Sequence, residues 1–576
     1  MAILCTNAPS PQRHSFRHRQ TKAQPLCRQT RPFSRESCRP TSIVSSTECS
    51  NGSAGRSTCV GTRPSPTFPA QGRDSSADST GGIGITEFLG RKNFLIIGGT
   101  GFLAKILIEK ILRANPDIGK IYIVIKAKDT QAALKRIQNE VAESELFTCL
   151  EEIHGKDYHS FLAKKLVPVV GDIREANLGI APDLAHKIEE EVDVIVNSAG
   201  NTTFDERYDV AMDINTLGPF RIMSFAQRFQ RLKLFLHVST AYVNGQRQGV
   251  VMEKPFQLGD TIAMEFGSSD CRQAALLDIE AEVKLAFASK IGYDDSASIS
   301  QEMKRLGQER AKLHGWQDVY VFSKAMGEMV INCVRGDIPV VTIRPSIIEG
   351  TLRDPFPGWI QGNRMMDPIV LNYGRGHITS FLADPDCVID VIPADMVVNA
   401  MLASMAKHGQ GQLTAGMQTH HVYHLSSSTV NPLVCRDLFD FFFQHFTRSP
   451  VMDMAGKPIL RQPMRFCGSM EEYTSSVEVE ANALLQSAAS GTALSERRKR
   501  NLRAKVVENI VHLGRIYEPY TFYGCRFDNG NTEALLAEMS AEEREKFHFD
   551  VRSVDWMNYI TDVHIPGLRK YVGKGT

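Results

Sequence analysis

Short apolar runs recur along the chain, with stretches of helical length between them. They read NFLIIGG, KIYIVIK, LVPVVGD, DVIVNSAG, KLFLHVST and IPVVTIRPS, between Asn93 and Ser346. Each is rich in Val, Ile or Leu and ends in a small, polar or turn residue. A strand with one wet face alternates apolar and polar residues; a strand covered on both faces does not. The runs therefore predict a parallel sheet with helices on both sides, a doubly wound α/β Rossmann domain over residues 88–400. One interval breaks the rhythm. About seventy residues separate HVSTAYVNG from YVFSK, and stretches such as CRQAALLDIEAEVKLAFASKI are helical in pattern. They read as an insertion at about 250–316 over the carboxyl edge of the sheet, where ligands of such sheets bind. Beyond residue 400 the alternation fades. Residues 401–576 read as a smaller, mainly helical C-terminal domain, in which Ser540 and Glu543 begin a helix with a capping-box pattern.

Composition narrows the class. The chain has 576 residues, 42% of them hydrophobic, which is too long for one simple core and apolar enough for a large one. No stretch reaches the roughly 18 apolar residues of a membrane span. LFDFFFQHF comes nearest and carries Asp440 and His445. The formal net charge of +1 conceals +7 over residues 1–80 and −6 over residues 81–576. A mildly acidic body argues against nucleic acid as a partner. The first 80 residues hold 14 Ser and 9 Thr, no acid before Glu36 and no apolar centre. They predict a transit peptide, disordered before import and directed to the plastid stroma, rather than a secretory signal.

Five of the twelve cysteines lie in that leader. The other seven, Cys149, Cys271, Cys333, Cys387, Cys435, Cys467 and Cys525, are scattered with no CxxC pair. No disulfide framework or metal site is expected. His420, His421 and His424 in HHVYH have no acid or thiol beside them in sequence and are not expected to hold a metal either. His237 reads as a core histidine.

FLIIGGTGFLAKILIEKIL places a glycine turn between a strand and a helix. Gly99, Gly101 and Ala104 fit G-x-G-x-x-G/A; Gly98, Gly101 and Ala104 also fit the wider G-x-x-G-x-x-A spacing. A pyrophosphate must approach the backbone amides at a helix start, so side chains are excluded there. Gly98, Gly99, Thr100, Gly101, Phe102 and Leu103 are accordingly expected to bind a dinucleotide. The next strand ends in Lys126, with Lys128 beyond, where an NAD-specific fold usually has Asp or Glu. A cation at that point favours the 2′-phosphate of NADPH. Asp172, at the end of the third strand, is placed to meet the adenine amine. Ala199, in the small-residue end NSAG of the fourth, leaves room for the cofactor.

DVYVFSKAMGE sets Tyr320 and Lys324 one helical turn apart. The spacing alone also fits a buried ring and a solvated amine. Its place in the chain is more telling, because it follows the glycine turn and a strand end that carries Ser239 and Thr240. A free phenol has a pKa near 10, and a neighbouring ammonium is expected to lower it. The phenol can then protonate a substrate oxygen as hydride reaches carbon, with a strand-end hydroxyl holding that oxygen.

GGTGFLA, HVSTAYVNG, YVFSKAMGE and IRPSIIEG resemble the extended short-chain dehydrogenase/reductases. Together with PFPGWIQGNRMMDPI and DVRSVDWMNYITDVHIPGLRKY they resemble the alcohol-forming fatty acyl reductases over roughly residues 90–576. With the leader, they are most similar to the plastid male-sterility type of plant anthers. The resemblance implies reduction of a fatty acyl thioester, on acyl carrier protein or CoA and of C16 length, to a primary alcohol through a bound aldehyde. NADPH would be the reductant and pollen-wall or cuticle lipid the destination. It implies Tyr320 as proton donor, Lys324 on the nicotinamide ribose, and Thr240 ahead of Ser239 as the hydroxyl. It also implies that Arg344, Pro345 and Ser346 face the nicotinamide. Ile97 and Lys126 depart from the family, which usually has Thr and Arg there. Lys keeps the charge at 126 but loses the guanidinium fork. The acyl groove is expected between the 250–316 insertion and the C-terminal domain. Arg497, Arg498, Lys499 and Arg500 are a candidate docking patch for acidic acyl carrier protein. A sugar-nucleotide epimerase or dehydratase of the same fold is the second reading, and a non-enzymatic NADP-binding scaffold the third.

Overall fold

Each of the six apolar runs forms a strand: β1 Phe94–Ile97, β2 Ile121–Ile125, β3 Leu166–Val170, β4 Val194–Asn197, β5 Leu234–Val238 and β6 Val340–Pro345. A computed structural model describes residues 81–266, 276–289, 296–410, 419–453, 455–489 and 496–573. The predicted leader and Cys271 lie outside the described residues. A seventh strand, β7 His420–Leu425, completes the main sheet in the order β7-β6-β5-β4-β1-β2-β3, with every neighbouring pair parallel. All residues of β1, β2 and β4 are buried, which is why their sequences show no alternation. The strand order reverses between β1 and β4, and a crevice opens there at the carboxyl ends of the strands.

The sheet corrects one expectation. Its seventh strand comes from beyond residue 400, so the sheet-bearing region does not end there. That strand is the histidine-bearing HHVYH stretch, whose alternation already reads as a strand. Its histidines are held by separate partners: His420 by Thr342 (3.0 Å) and Asn332 (3.1 Å), and His424 by the Asp528 carbonyl (2.8 Å).

The helices that position the crevice are α1 Phe102–Ala114, α2 Leu217–Ala226, α3 Ile279–Ala288, α4 Ser296–Leu313 and α5 Val319–Val334. The 250–316 insertion supplies α3 and α4. Tyr208, the Glu282 carboxylate and Arg310 bind these helices to the domain through a buried hydrogen-bond cluster. Helix α5 can lie close to the segment before α2 because of Gly327. A Cβ there would sit 2.2 Å from the Asn215 carbonyl oxygen.

The C-terminal region is largely helical, with α6 Cys435–Arg448, α7 Met470–Ala489 and α8 Glu496–Thr521. Two short parallel pairings knit it to the earlier chain: Arg465–Cys467 with Ser380–Leu382, and Cys525–Phe527 with Gly249–Val251. The expected capping box forms, and the Glu543 carboxylate also accepts from the amides of Ile83, Gly84 and Ile85.

Candidate active site

The glycine turn sits at the switch point. Gly98 has φ +83°, and a Cβ there would lie 2.8 Å from the Ala199 amide nitrogen. A Cβ on Gly99 would meet Ile123 at 2.5 Å. Both positions need glycine so that β1 can turn between β2 and β4. Gly101 caps α1 without any side-chain hydrogen bond, leaving the first amides of the helix to an anionic ligand. Phe102, the first residue of α1, stacks on Trp359 with ring centroids 5.4 Å apart.

At the ends of β2 and β3 the structure adds a residue that the sequence reading missed. Arg174 forks onto Asp172 (2.8 Å), and Lys126 reaches the same carboxylate at 3.1 Å. Asp172 is held well below its ordinary range, chiefly by the Arg174 hydrogen bond. It therefore anchors two cations at the strand end where the adenine contact is expected. Lys128 points elsewhere, 3.8 Å from Asp129.

Helix α5 starts at Asp318, whose carboxylate accepts from the Val321 amide (2.9 Å) and from the Tyr520 hydroxyl of α8. Two residues on, the Tyr320 phenol comes under the influence of the Thr240 hydroxyl at the end of β5. Thr240 in turn donates to the Pro345 carbonyl at 3.4 Å. Lys324, buried, donates to the Val238 carbonyl at 2.7 Å. A Cβ on Gly200 would lie 4.0 Å from the Lys324 amine. The phenol, the amine and the strand-end hydroxyl therefore converge beside the glycine turn.

Asn215 keeps this arrangement in register. Its amide donates to Ser323 Oγ (3.0 Å) and the Asn201 carbonyl (2.9 Å), and its carbonyl oxygen accepts from the Asn201 amide (2.9 Å). A buried Asn in the otherwise apolar stretch around α2 was the sequence clue to it.

The electrostatics differ from expectation. Burial and the Asp318 carboxylate push the Tyr320 phenol up, opposed by the Thr240 hydrogen bond and by the charge of Arg364. The predicted lowering by Lys324 does not operate, because the lysine amine is turned to the Val238 carbonyl. The phenol thus stays protonated at neutral pH, which is the state a proton donor requires. Burial lowers Lys324 to about 8, against the raising influence of Glu328.

One more expectation changes. The Arg344 side chain is fully buried in a forked ion pair with Glu328 (Nε–Oε1 3.0 Å) and lies over the Phe256 ring. It braces β6 against α5, and its guanidinium is taken up there instead of at a nicotinamide. The Ser239 and Ser346 hydroxyls are buried beside this strand end. His237 is a core histidine as expected, 3.1 Å from Asn197.

An apolar cavity opens near the phenol. Phe204 lies 5.9 Å from the Tyr320 ring and stacks on Tyr520 at 5.2 Å. Tyr520 and Tyr517 line the cavity, with Met366, Phe381, Phe439 and Phe442 among the other walls. Its walls come from α6, α8 and the 347–389 segment; among the described residues none of the 250–316 insertion lines it. The side chains of Arg497, Arg498 and Lys499 lie outside the described residues, and Arg500 is exposed.

Residues 96–401 and 484–575 match two family models, both described as male sterility protein. The chain is 53% identical to "Fatty acyl-CoA reductase 2, chloroplastic" of Arabidopsis thaliana, covering 86% of this chain and 80% of the relative. It is 37% identical to "Alcohol-forming fatty acyl-CoA reductase" of Simmondsia chinensis, over 85% of this chain and 98% of the relative. Among solved structures, the terminal R domain of the myxalamid PKS-NRPS biosynthetic pathway superposes with a TM-score of 0.51 at 18% identity. That match covers 84% of this chain and 91% of the other, and it shows the shared fold.

Proposed function

The chain belongs to the male sterility family of fatty acyl-CoA reductases, and we propose that it reduces a long-chain acyl thioester to a primary alcohol with two equivalents of NADPH. The observation that carries this reading is the Tyr320 ring one helical turn from the buried Lys324, at one end of an aromatic path through Phe204 and Tyr520 into an apolar cavity. When bound, the nicotinamide supplies hydride to the thioester carbonyl carbon. Tyr320 and Thr240 hold the oxygen as charge develops on it, and the phenol gives up its proton. Collapse of the hemithioacetal expels the pantetheine thiol and leaves an aldehyde in the same place. Tyr320 and Thr240 would hold and protonate the aldehyde oxygen in the same way in a second reduction, which gives the alcohol. Lys324 holds the nicotinamide ribose. The amides of the glycine turn and of the first turn of α1 hold the pyrophosphate.

The acyl tail occupies the cavity between α6, α8 and the 347–389 segment. A palmitoyl chain is the proposed substrate, on acyl carrier protein or CoA, with the exposed Arg500 in the candidate docking patch for the carrier. Similarity to a relative named chloroplastic, with the Ser/Thr- and Arg-rich leader, supports a plastid location. Pollen-wall lipid is the proposed destination. Gas chromatography after incubating the full chain with NADPH and C12–C18 acyl thioesters tests the reading. Primary alcohol is expected; NADPH that binds and is never oxidised would favour a scaffold.

Lys126 and Arg174 are the proposed contacts to the 2′-phosphate. Lost charge-assisted contacts cost about 1.5–3 kcal/mol, or about 10–100-fold. Replacing both with alanine should raise KM for NADPH by that factor and leave KM for NADH nearly unchanged. Equal effects on the two cofactors would remove these residues from phosphate recognition. In the cavity, Phe442→Trp should shift the preferred acyl chain shorter, because each methylene excluded forfeits about 0.8 kcal/mol. Competition between C12 and C16 esters measures this, and an unchanged ratio would place the tail elsewhere.

A further inference from the structure

The reductase reading leaves PFPGWIQGNRMMDPI and DVRSVDWMNYITDVHIPGLRKY without a chemical task. In the structure these two stretches pack together. A Cβ on Gly567 would sit 1.9 Å from the Gly358 carbonyl oxygen, so the last helix rests directly on the loop after β6. The approach brings Glu349, Asp367 and His564 together, exposed by 1%, 1% and 0%.

We propose that Glu349, Asp367 and His564 bind one first-row divalent cation, zinc or manganese, which ties the C-terminal segment to the loop carrying Arg364. His564 Nε2 lies 3.4 Å from Asp367 Oδ1 and 3.7 Å from Glu349 Oε2. Ligand atoms about 2.0–2.1 Å from a tetrahedral ion stand about 3.3 Å from one another, close to the spacing found. Glu349 Oε1, Asp367 Oδ1 and both ring nitrogens of His564 are buried without hydrogen-bond partners. A buried imidazole with two idle nitrogens costs free energy unless something occupies it. Among the described residues no lysine or arginine pairs with either carboxylate, so a cation is the missing counter-charge. His564 ends a π-helical turn, Tyr559–His564, a distortion that is frequent at functional sites. Imidazole with carboxylate oxygens suits zinc or manganese and disfavours softer ions. The remaining Asp367 oxygen accepts from the Arg364 amide at 2.9 Å. The ion would thereby fix the residue whose charge acts on Tyr320.

Elemental analysis of the full chain, purified without metal-affinity resin, tests the site independently of reductase activity. About one zinc or manganese per chain is expected, and the metal found distinguishes the two. Glu349→Gln and Asp367→Asn should each lower retention at least about tenfold. Should these variants fail to fold, the wild type still decides. Chelation should lower Tm and the matching ion should restore it. Cobalt bound in its place should give visible bands of a nitrogen–oxygen site without thiolate absorption, which sets it apart from the cysteines. Metal-free wild type whose melting ignores zinc, manganese and cobalt would overturn the proposal, leaving a proton shared by the two carboxyls. Metal retained by both folded variants would overturn it too.

Discussion

Tyr320→Phe is expected to lower kcat by about 10²–10⁴-fold while NADPH still binds. The phenyl ring keeps its place near Phe204, so the pocket and the cofactor crevice are conserved. What disappears is the one acidic proton within reach of a carbonyl oxygen held at Thr240. Burial and Asp318 keep that phenol protonated, so it is ready to donate at neutral pH. Thr240→Val should cost less, because Tyr320 still donates while the oxygen loses one hydrogen bond. Single-turnover oxidation of bound NADPH, together with cofactor titration by fluorescence, separates chemistry from binding. A Phe variant within a few-fold of wild type would remove Tyr320 from the proton path.

Glu328→Ala should produce the largest loss of stability. Glu328 and Arg344 have no exposed side-chain surface and pair only one turn beyond Lys324. Removing the carboxylate strands a guanidinium in the interior, at a cost of about 3–5 kcal/mol. The midpoint of urea unfolding should fall accordingly. Glu328→Ala combined with Arg344→Met should recover much of the loss, since a buried ion pair contributes little beyond its apolar replacement. A single variant as stable as wild type would show that the pair is solvated in solution.

Strands covered on both faces were legible because nothing polar interrupts them, and β1 to β6 fall on the runs that predicted them. The seventh, HHVYH, reads as a strand by its alternation, but its place in the main sheet was not legible, because the partners of its imidazoles, Thr342, Asn332 and the Asp528 carbonyl, lie far along the chain. The same limit applied to the site. Gly98 and the Tyr320–Lys324 spacing are local patterns dictated by backbone geometry and one helical turn. Arg174, Asn215 and Arg364 act through neighbours that only the folded chain supplies. Arg344 illustrates the converse: its motif pointed to a cofactor, and Glu328, 16 residues earlier on α5, had already taken its charge. The cavity behaved likewise, since α6 and α8 enclose it from a region whose sequence shows no strand–helix alternation.

The account rests on two successive hydride transfers to one carbon beside Tyr320. NADPH carrying deuterium in the transferable position, given to the full chain with palmitoyl thioester, tests this most directly by mass spectrometry of the product. Hexadecanol with two deuterium atoms on C1, and two cofactors oxidised per alcohol, is the predicted result. Aldehyde with a single deuterium as the final product, or alcohol without deuterium, would contradict it.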